Sequence, residues 1–276
     1  GFPQVAGINF TLSTAVAYDA NAETYPASTY YGPKSINRVV INSINGKEFK
    51  ADDTYAVVTN NFVAGGGDTY YAFAAASAQF DTGIPLDEAV MEYVTTELKG
   101  VIGAQYAAPQ GRILLNPFKD VKASSWFGKY VIDLYNDGII NGTSATTYAP
   151  NDTLTWAAAL KLLLVSNGDL KAADATGADW SKNTIAKAAE LGLVAADLDG
   201  AKAISRLEFC QVAAKLNKLA ESKTESKFTD CTDGYVMALV DAKVISGMTE
   251  TTFEPAASLT RAQIAKILYQ LTLIEK

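Results

Sequence analysis

The second half of the chain repeats itself, and this constrains its folding more than any other feature. Phe118-Lys-Asp-Val121 returns as Phe228-Thr-Asp-Cys231. Gly138-Ile-Ile-Asn-Gly142 leads through Tyr148-Ala-Pro150 to Leu154-Thr-Trp-Ala157, just as Lys243-Val-Ile-Ser-Gly247 leads through Phe253-Glu-Pro255 to Leu259-Thr-Arg-Ala262. The gap from the second Gly to the Thr is 13 residues in both copies. A weaker copy lies between them. Trp180 precedes Gly192 by the 12 residues that separate Trp126 from Gly138, and this copy ends in Ile204-Ser-Arg-Leu-Glu208 without an aromatic-X-Pro element. Apolar residues recur at helical spacing, as in Phe127, Tyr130, Val131 and Leu134, or Ile264, Ile267, Leu268 and Leu271. Each unit therefore reads as helix, loop, helix, over residues 116–168, 169–221 and 222–276. One such pair cannot bury its apolar face alone, so the three should pack together.

The second helices open with capping boxes, Ser205-Arg-Leu-Glu208 and Thr260-Arg-Ala-Gln263. Capping accounts for the Ser, Thr, Glu and Gln but not for Arg206 and Arg261, because a cation in the first turn opposes the helix dipole. Their recurrence leaves two readings open, a structural one and the holding of an anion with help from the helix N-terminal amides. Trp156 takes this position in the first unit, with Ala158 in place of the acid. Trp126 and Trp180 fit either a groove wall or the core. Asp120 and Asp230 read as helix caps. Cys210 and Cys231 read first as two small buried side chains, with a disulfide as the alternative outside the cytosol.

Residues 1–115 have a different character. Ile8, Phe10 and Leu12 alternate like a half-buried strand, and so do Val39 and Ile41. Residues 19–37 look like a loop, and Asn45-Gly46 signals a hairpin. A further strand is expected at Tyr55-Ala-Val-Val-Thr59. It leads into Thr59-Asn-Asn-Phe-Val-Ala-Gly-Gly-Gly-Asp68, where three glycines let the backbone take angles other residues avoid. Phe62 and Asp68 flank that turn. A ring and an acceptor held there could bind a nucleobase and its sugar, or the stretch is only a turn with Phe62 in the core. A helix is expected from Leu86, started by Pro85 and followed by Gly100 and Gly103, then a closing strand Arg112-Ile-Leu-Leu115.

With 276 residues and 49% hydrophobic content, the chain can form about two domains. A net charge of −7 makes a nucleic-acid surface unfavourable, and no apolar run approaches membrane-spanning length. The absence of histidine excludes a Ser-His-Asp triad and the usual His-containing zinc site. The chain opens in an apparent strand without Met, which reads as a fragment whose signal peptide is not seen.

Two resemblances arise from these residues. Asn61-Phe-Val-Ala-Gly-Gly-Gly-Asp68 resembles the signature loop of the 5'-nucleotidase C-terminal domain. Gly1-Phe-Pro-Gln-Val-Ala-Gly-Ile-Asn-Phe10, Arg38-Val-Val-Ile41 with Ile44-Asn-Gly-Lys47, and Gly111-Arg-Ile113 agree with it, so the likeness covers roughly residues 1–115. It implies that Phe62 stacks on the base, that Asp68 holds the nucleoside, and that Gly66 and Gly67 shape the site. The family's histidine-rich catalytic half, with two divalent metal ions, would lie before Gly1. The repeats resemble S-layer homology modules over about residues 117–274. That family folds as a pseudo-threefold helical bundle and binds secondary cell wall polysaccharide, often pyruvylated, in grooves between modules. The resemblance implies wall-binding roles for Arg206 and Arg261, with Trp156 either losing one groove or stacking on a sugar.

The expectation is thus an α+β chain. A partial mixed α/β nucleoside-binding domain over residues 1–115 is followed by an all-α bundle of three repeats. The whole reads as part of a cell-surface 5'-nucleotidase-like phosphomonoester hydrolase, extracellular and attached to the wall. This chain alone holds no cofactor and should hydrolyse nothing, leaving its standing as an enzyme uncertain. The alternatives are a non-catalytic wall-binding protein and a structural S-layer component.

Overall fold

Two adjacent left-handed residues, Asn45 (φ 49°) and Gly46 (φ 75°), reverse the chain between strands β2 (Val39–Ile44) and β3 (Lys47–Glu48). This is the hairpin that Asn-Gly favours. The computed structural model describes residues 4–17 and 38–274. The loop expected over residues 19–37 lies outside them. The chain divides into two compact units, Gly1–Leu115 and Asn116–Lys276.

The first unit is mixed α/β. Strand β1 (Ile8–Ser13) pairs antiparallel with β2, matching Ile8 with Ile44 and Phe10 with Ile41, with a register shift between Asn9 and Phe10. β4 (Ile113–Asn116) completes the order β3-β2-β1-β4. Asn42 ties the strands across one face, its Nδ2 donating to Asn9 Oδ1 at 2.8 Å and Thr11 Oγ1 at 3.0 Å. The strand expected at Tyr55–Thr59 does not form. Val57 and Val58 stand 53% and 98% exposed, and an apolar run without a paired neighbour gains nothing from strand geometry. Single helical turns follow at α1 (Asn61–Ala64) and α2 (Tyr71–Ala74). Helix α3 (Leu86–Glu92) runs into a π-helical turn, Tyr93–Glu97, and its Leu86, Val90 and Tyr93 are exposed.

The second unit is built from helices α4 (Gly128–Asn136), α5 (Trp156–Asn167), α6 (Trp180–Glu190), α7 (Arg206–Leu216), α8 (Gly234–Asp241) and α9 (Arg261–Thr272). The first helix of each repeat packs against the second helix of the preceding one, giving the pairs α6 on α5, α8 on α7 and α4 on α9. The predicted apolar faces are the core. Val131, Leu134, Phe209, Ala213, Leu239, Ile264 and Leu268 are fully buried.

The loops close the same circle. In each second helix the first two amides donate to carbonyls of the next repeat's loop. Trp156 and Ala157 bond Lys202 and Gly200 at 2.9 and 3.0 Å, Arg206 and Leu207 bond Ala257 and Pro255 at 2.8 and 3.0 Å, and Arg261 and Ala262 bond Asp152 and Pro150 at 2.8 and 3.0 Å. Isolated bridges Thr155–Ala203, Ser205–Ser258 and Thr153–Thr260 run alongside. The aromatic-X-Pro loop is held within its own repeat. Asp120 accepts from the Tyr148 and Ala149 amides at 2.9 and 2.7 Å, and Asp230 from those of Phe253 and Glu254 at 2.8 Å each. These carboxylates are therefore not helix caps. They stabilise loops that carry a left-handed non-glycine residue, Ala149 (φ 58°) or Glu254 (φ 60°). The cap of α8 is Asp233.

Candidate functional site

The glycine turn begins with a capped helical turn. Asn60 Oδ1 accepts from the Val63 amide at 2.8 Å, starting α1 and setting Phe62 on its outer side. The backbone then turns through Gly66 (φ 89°) and Asp68 (φ 52°). A Cβ on Gly67 would lie 2.6 Å from Phe62 Cε1 and Cζ, so the ring rests directly on this glycine. Phe62 nevertheless stands 58% exposed, so it is not a core residue of this unit. Gly66 is buried, and a Cβ there would reach 3.4 Å from the Tyr71 ring. Tyr70 titrates above its ordinary value because of burial and then the Asp68 charge. Gln79 Nε2 pins the turn by donating to the carbonyls of Phe73 at 2.7 Å and Ala64 at 3.1 Å. Phe62, Gly66, Gly67 and Asp68 thus share one rigid turn with an exposed ring and a carboxylate.

Both repeat arginines hold the neighbouring repeat. Arg261 donates from Nε to Tyr148 O at 2.7 Å and from Nη2 to Asn141 O at 2.9 Å, with its guanidinium 4.4 Å from the Tyr148 ring centroid. Arg206 donates from Nη2 to Ser246 O at 2.8 Å and lies 4.6 Å from the Phe253 ring centroid. The two differ in one atom. Arg206 is 6% exposed and its buried Nε has no hydrogen-bond partner. Burial lowers its pKa from the ordinary value, with Cys210 and Glu254 acting in the opposite direction.

Helix amides do not serve an anion here. The first two are taken by the loop carbonyls, and the third is capped by Thr155, Ser205 or Thr260. Trp156 is 8% exposed and faces the one repeat loop that lacks an aromatic-X-Pro element. An arginine there would find no ring to lie on, and an indole so buried offers little face to a sugar.

Sequence reasoning missed a cavity of about 200 Å³ lined by Arg206, Trp126, Ser246, Met248, Gln263 and Lys266. Trp126 is 59% exposed, and Lys266 is exposed on the next turn of α9 from Gln263. The signal was a lysine three residues after the capping Gln or its equivalent, shared with Lys161, but only packing shows that it faces the arginine of another repeat. The cysteines are buried free thiols, and burial pushes Cys210 up to about 12. Among the described residues no three His, Cys, Asp or Glu side chains converge to hold a metal, and no helix is long and apolar enough to cross a membrane.

The first unit thus sets a ring and a carboxylate on one turn, and the second is a set of helical repeats joined by bonds from each second helix to the next loop. Residues 1–75 match the family model of the 5'-nucleotidase C-terminal domain, and residues 117–159 and 229–265 match that of the S-layer homology domain. The chain carries both kinds of domain. It is 30% identical over 179 residues to an endoglucanase of Bacillus sp. (strain KSM-635), covering 56% of this chain and 18% of that protein. It is 39% identical over 84 residues to the surface-layer 125 kDa protein of Lysinibacillus sphaericus, covering 28% and 7%. It is 36% identical over 129 residues to the trifunctional nucleotide phosphoesterase protein YfkN of Bacillus subtilis (strain 168), covering 45% and 8%. The chain therefore spans at most 18% of the length of these three relatives.

Proposed function

We propose that this chain is the nucleoside-presenting and wall-anchoring part of a cell-surface 5'-nucleotidase-like protein. The observation that carries the reading is the union in one chain of the two matched domains. Phe62 stacks on a base, while Asp68 accepts hydrogen bonds from the nucleoside. The three repeats form a pseudo-threefold all-α bundle, a reading supported by the cyclic bonding from each second helix to the next loop. That bundle holds secondary cell wall polysaccharide in the Arg206 cavity, with an acidic sugar such as a pyruvylated one as the fitting ligand. The protein accordingly works outside the cell, on the wall.

The two-metal centre that the 5'-nucleotidase resemblance implies uses histidines together with carboxylates, and this chain has no histidine, so we assign hydrolysis to other residues. Its own residues bind and orient the nucleotide. A second reading, a structural surface-layer component, is favoured by the match to a surface-layer protein.

Two assays separate these readings. Co-sedimentation with Gram-positive-type cell walls should be strong, and should vanish once the secondary polysaccharide is stripped. Calorimetry with adenosine and AMP should show binding that Phe62→Ala weakens by about 1–3 kcal/mol, the scale of one base–aromatic stack. Wall binding without nucleoside binding would leave the structural reading. Nucleoside binding without sedimentation would remove the anchor.

A further inference from the structure

Each junction between repeats holds an equivalent pair of buried side chains. The fifth residue after the capping hydroxyls of Thr155, Ser205 and Thr260 is Leu160, Cys210 or Ala265. The residue after Asp120, Asp174 and Asp230 is Val121, Ala175 or Cys231. All six are buried. Because α5 meets α6, α7 meets α8 and α9 meets α4, the junctions pair Leu160 with Ala175, Cys210 with Cys231 and Ala265 with Val121. Two junctions thus combine one branched aliphatic side chain with one alanine, and the third combines two side chains of middle size. Close packing asks equivalent places to be filled to similar total volume, so the members of each pair share one space.

Hydrogen bonds hold the two cysteines in that register. Gln211, next to Cys210, donates from Nε2 to Asp233 Oδ2 at 2.6 Å, two residues beyond Cys231. Ser226 Oγ donates to Cys231 O at 2.6 Å, as Asn116 Nδ2 does to Val121 O at 2.7 Å, so Cys231 stands where Val121 stands in the first repeat.

We propose that Cys210 and Cys231 pair as a disulfide that ties the second repeat to the third, formed while the chain folds outside the cell. The oxidant is a low-molecular-weight disulfide. One cysteine thiolate attacks it and releases a thiol, and the other cysteine then attacks the mixed disulfide and releases a second. One S–S bond forms in the protein, the external S–S bond is reduced, and the two cysteine protons pass to the released thiols. Folding is the time for this exchange. Once the junction has closed, burial raises the pKa of both thiols, so thiolates become scarce and attack becomes slow. The oxidising setting rests on the cell-surface reading above, whereas the pairing rests on the repeat register.

The test is to refold the reduced, denatured full chain in a buffer of reduced and oxidised glutathione. Free thiols are then counted in denaturant, cross-linked peptides are mapped by mass spectrometry, and melting is followed by indole fluorescence. No free thiol is expected, with a Cys210–Cys231 peptide pair in a chain not linked to another copy. The oxidised chain should melt at least about 5 °C above the reduced one. The folded reduced chain should lose thiols in the same buffer at least tenfold more slowly than the denatured chain. Cys210→Leu with Cys231→Ala, which imports the pair from the α5–α6 junction, should fold and melt alike in both buffers. Two free thiols after refolding, chain-to-chain links, or glutathione adducts in place of the peptide pair would overturn the pairing. An oxidised chain that melts no higher than the reduced one would overturn the bond as a tie between repeats. The correct bond without wall sedimentation would keep the cross-link and remove its cell-surface setting, and sedimentation without the bond would do the reverse.

Discussion

Gly142 and Gly247 show what a repeat motif encodes at the level of one residue. A Cβ on Gly247 would lie 2.2 Å from Thr249 O, and one on Gly142 would lie 2.3 Å from Ser144 O. The motif's second glycine is thus a close backbone approach, which no side chain rotation can relieve. Gly247→Ala should destabilise the second unit by about 1–3 kcal/mol in urea unfolding, the usual cost of overpacking a closed site. Gly67 differs in kind, since its Cβ would meet the movable Phe62 ring. Gly67→Ala should leave the circular dichroism unchanged but lower adenosine affinity about tenfold, because the ring must leave its seat. Unaltered affinity would show that the ring's position on Gly67 does not matter to binding.

Among the elements, the aromatic-X-Pro loops depend on their carboxylates. The two amide bonds from Phe253 and then Glu254 hold Asp230 below its ordinary pKa. A depressed folded pKa contributes stability that is present above the unfolded value near 3.8 and is lost as pH falls through the folded value. The urea midpoint should therefore drop from pH 5 to pH 2.5, and Asp230→Asn should flatten that drop. An equal drop in the variant would place the acid sensitivity elsewhere. Capping was legible from Ser205-X-X-Glu208 because its partners are local, three residues apart. Asp230 was misread as a cap because its partners lie 23 and 24 residues on. The Tyr55–Thr59 run was misread as a strand because β-propensity is a preference that only a neighbouring strand converts into structure.

In the molecule as a whole, the second unit closes on itself through three equivalent junctions, so its repeats should unfold together. All three tryptophans lie in this unit, which lets indole fluorescence follow it alone. A single thermal transition is expected, and Arg261→Met should lower its midpoint without splitting it. Stepwise melting would show repeats that stand independently. The sequence by itself determined the helix faces, the capping boxes and the Asn45-Gly46 hairpin. These rest on periodicity and on contacts a few residues long, which a linear string displays. Tertiary structure alone decided that Phe62 is exposed on Gly67, that Trp156 is buried, and that Arg261 is spent on carbonyls while Arg206 is buried with an unpaired Nε. These outcomes depend on which side chains from separate repeats meet at a junction, and chemically similar residues acquire different roles according to the partners packing brings to them.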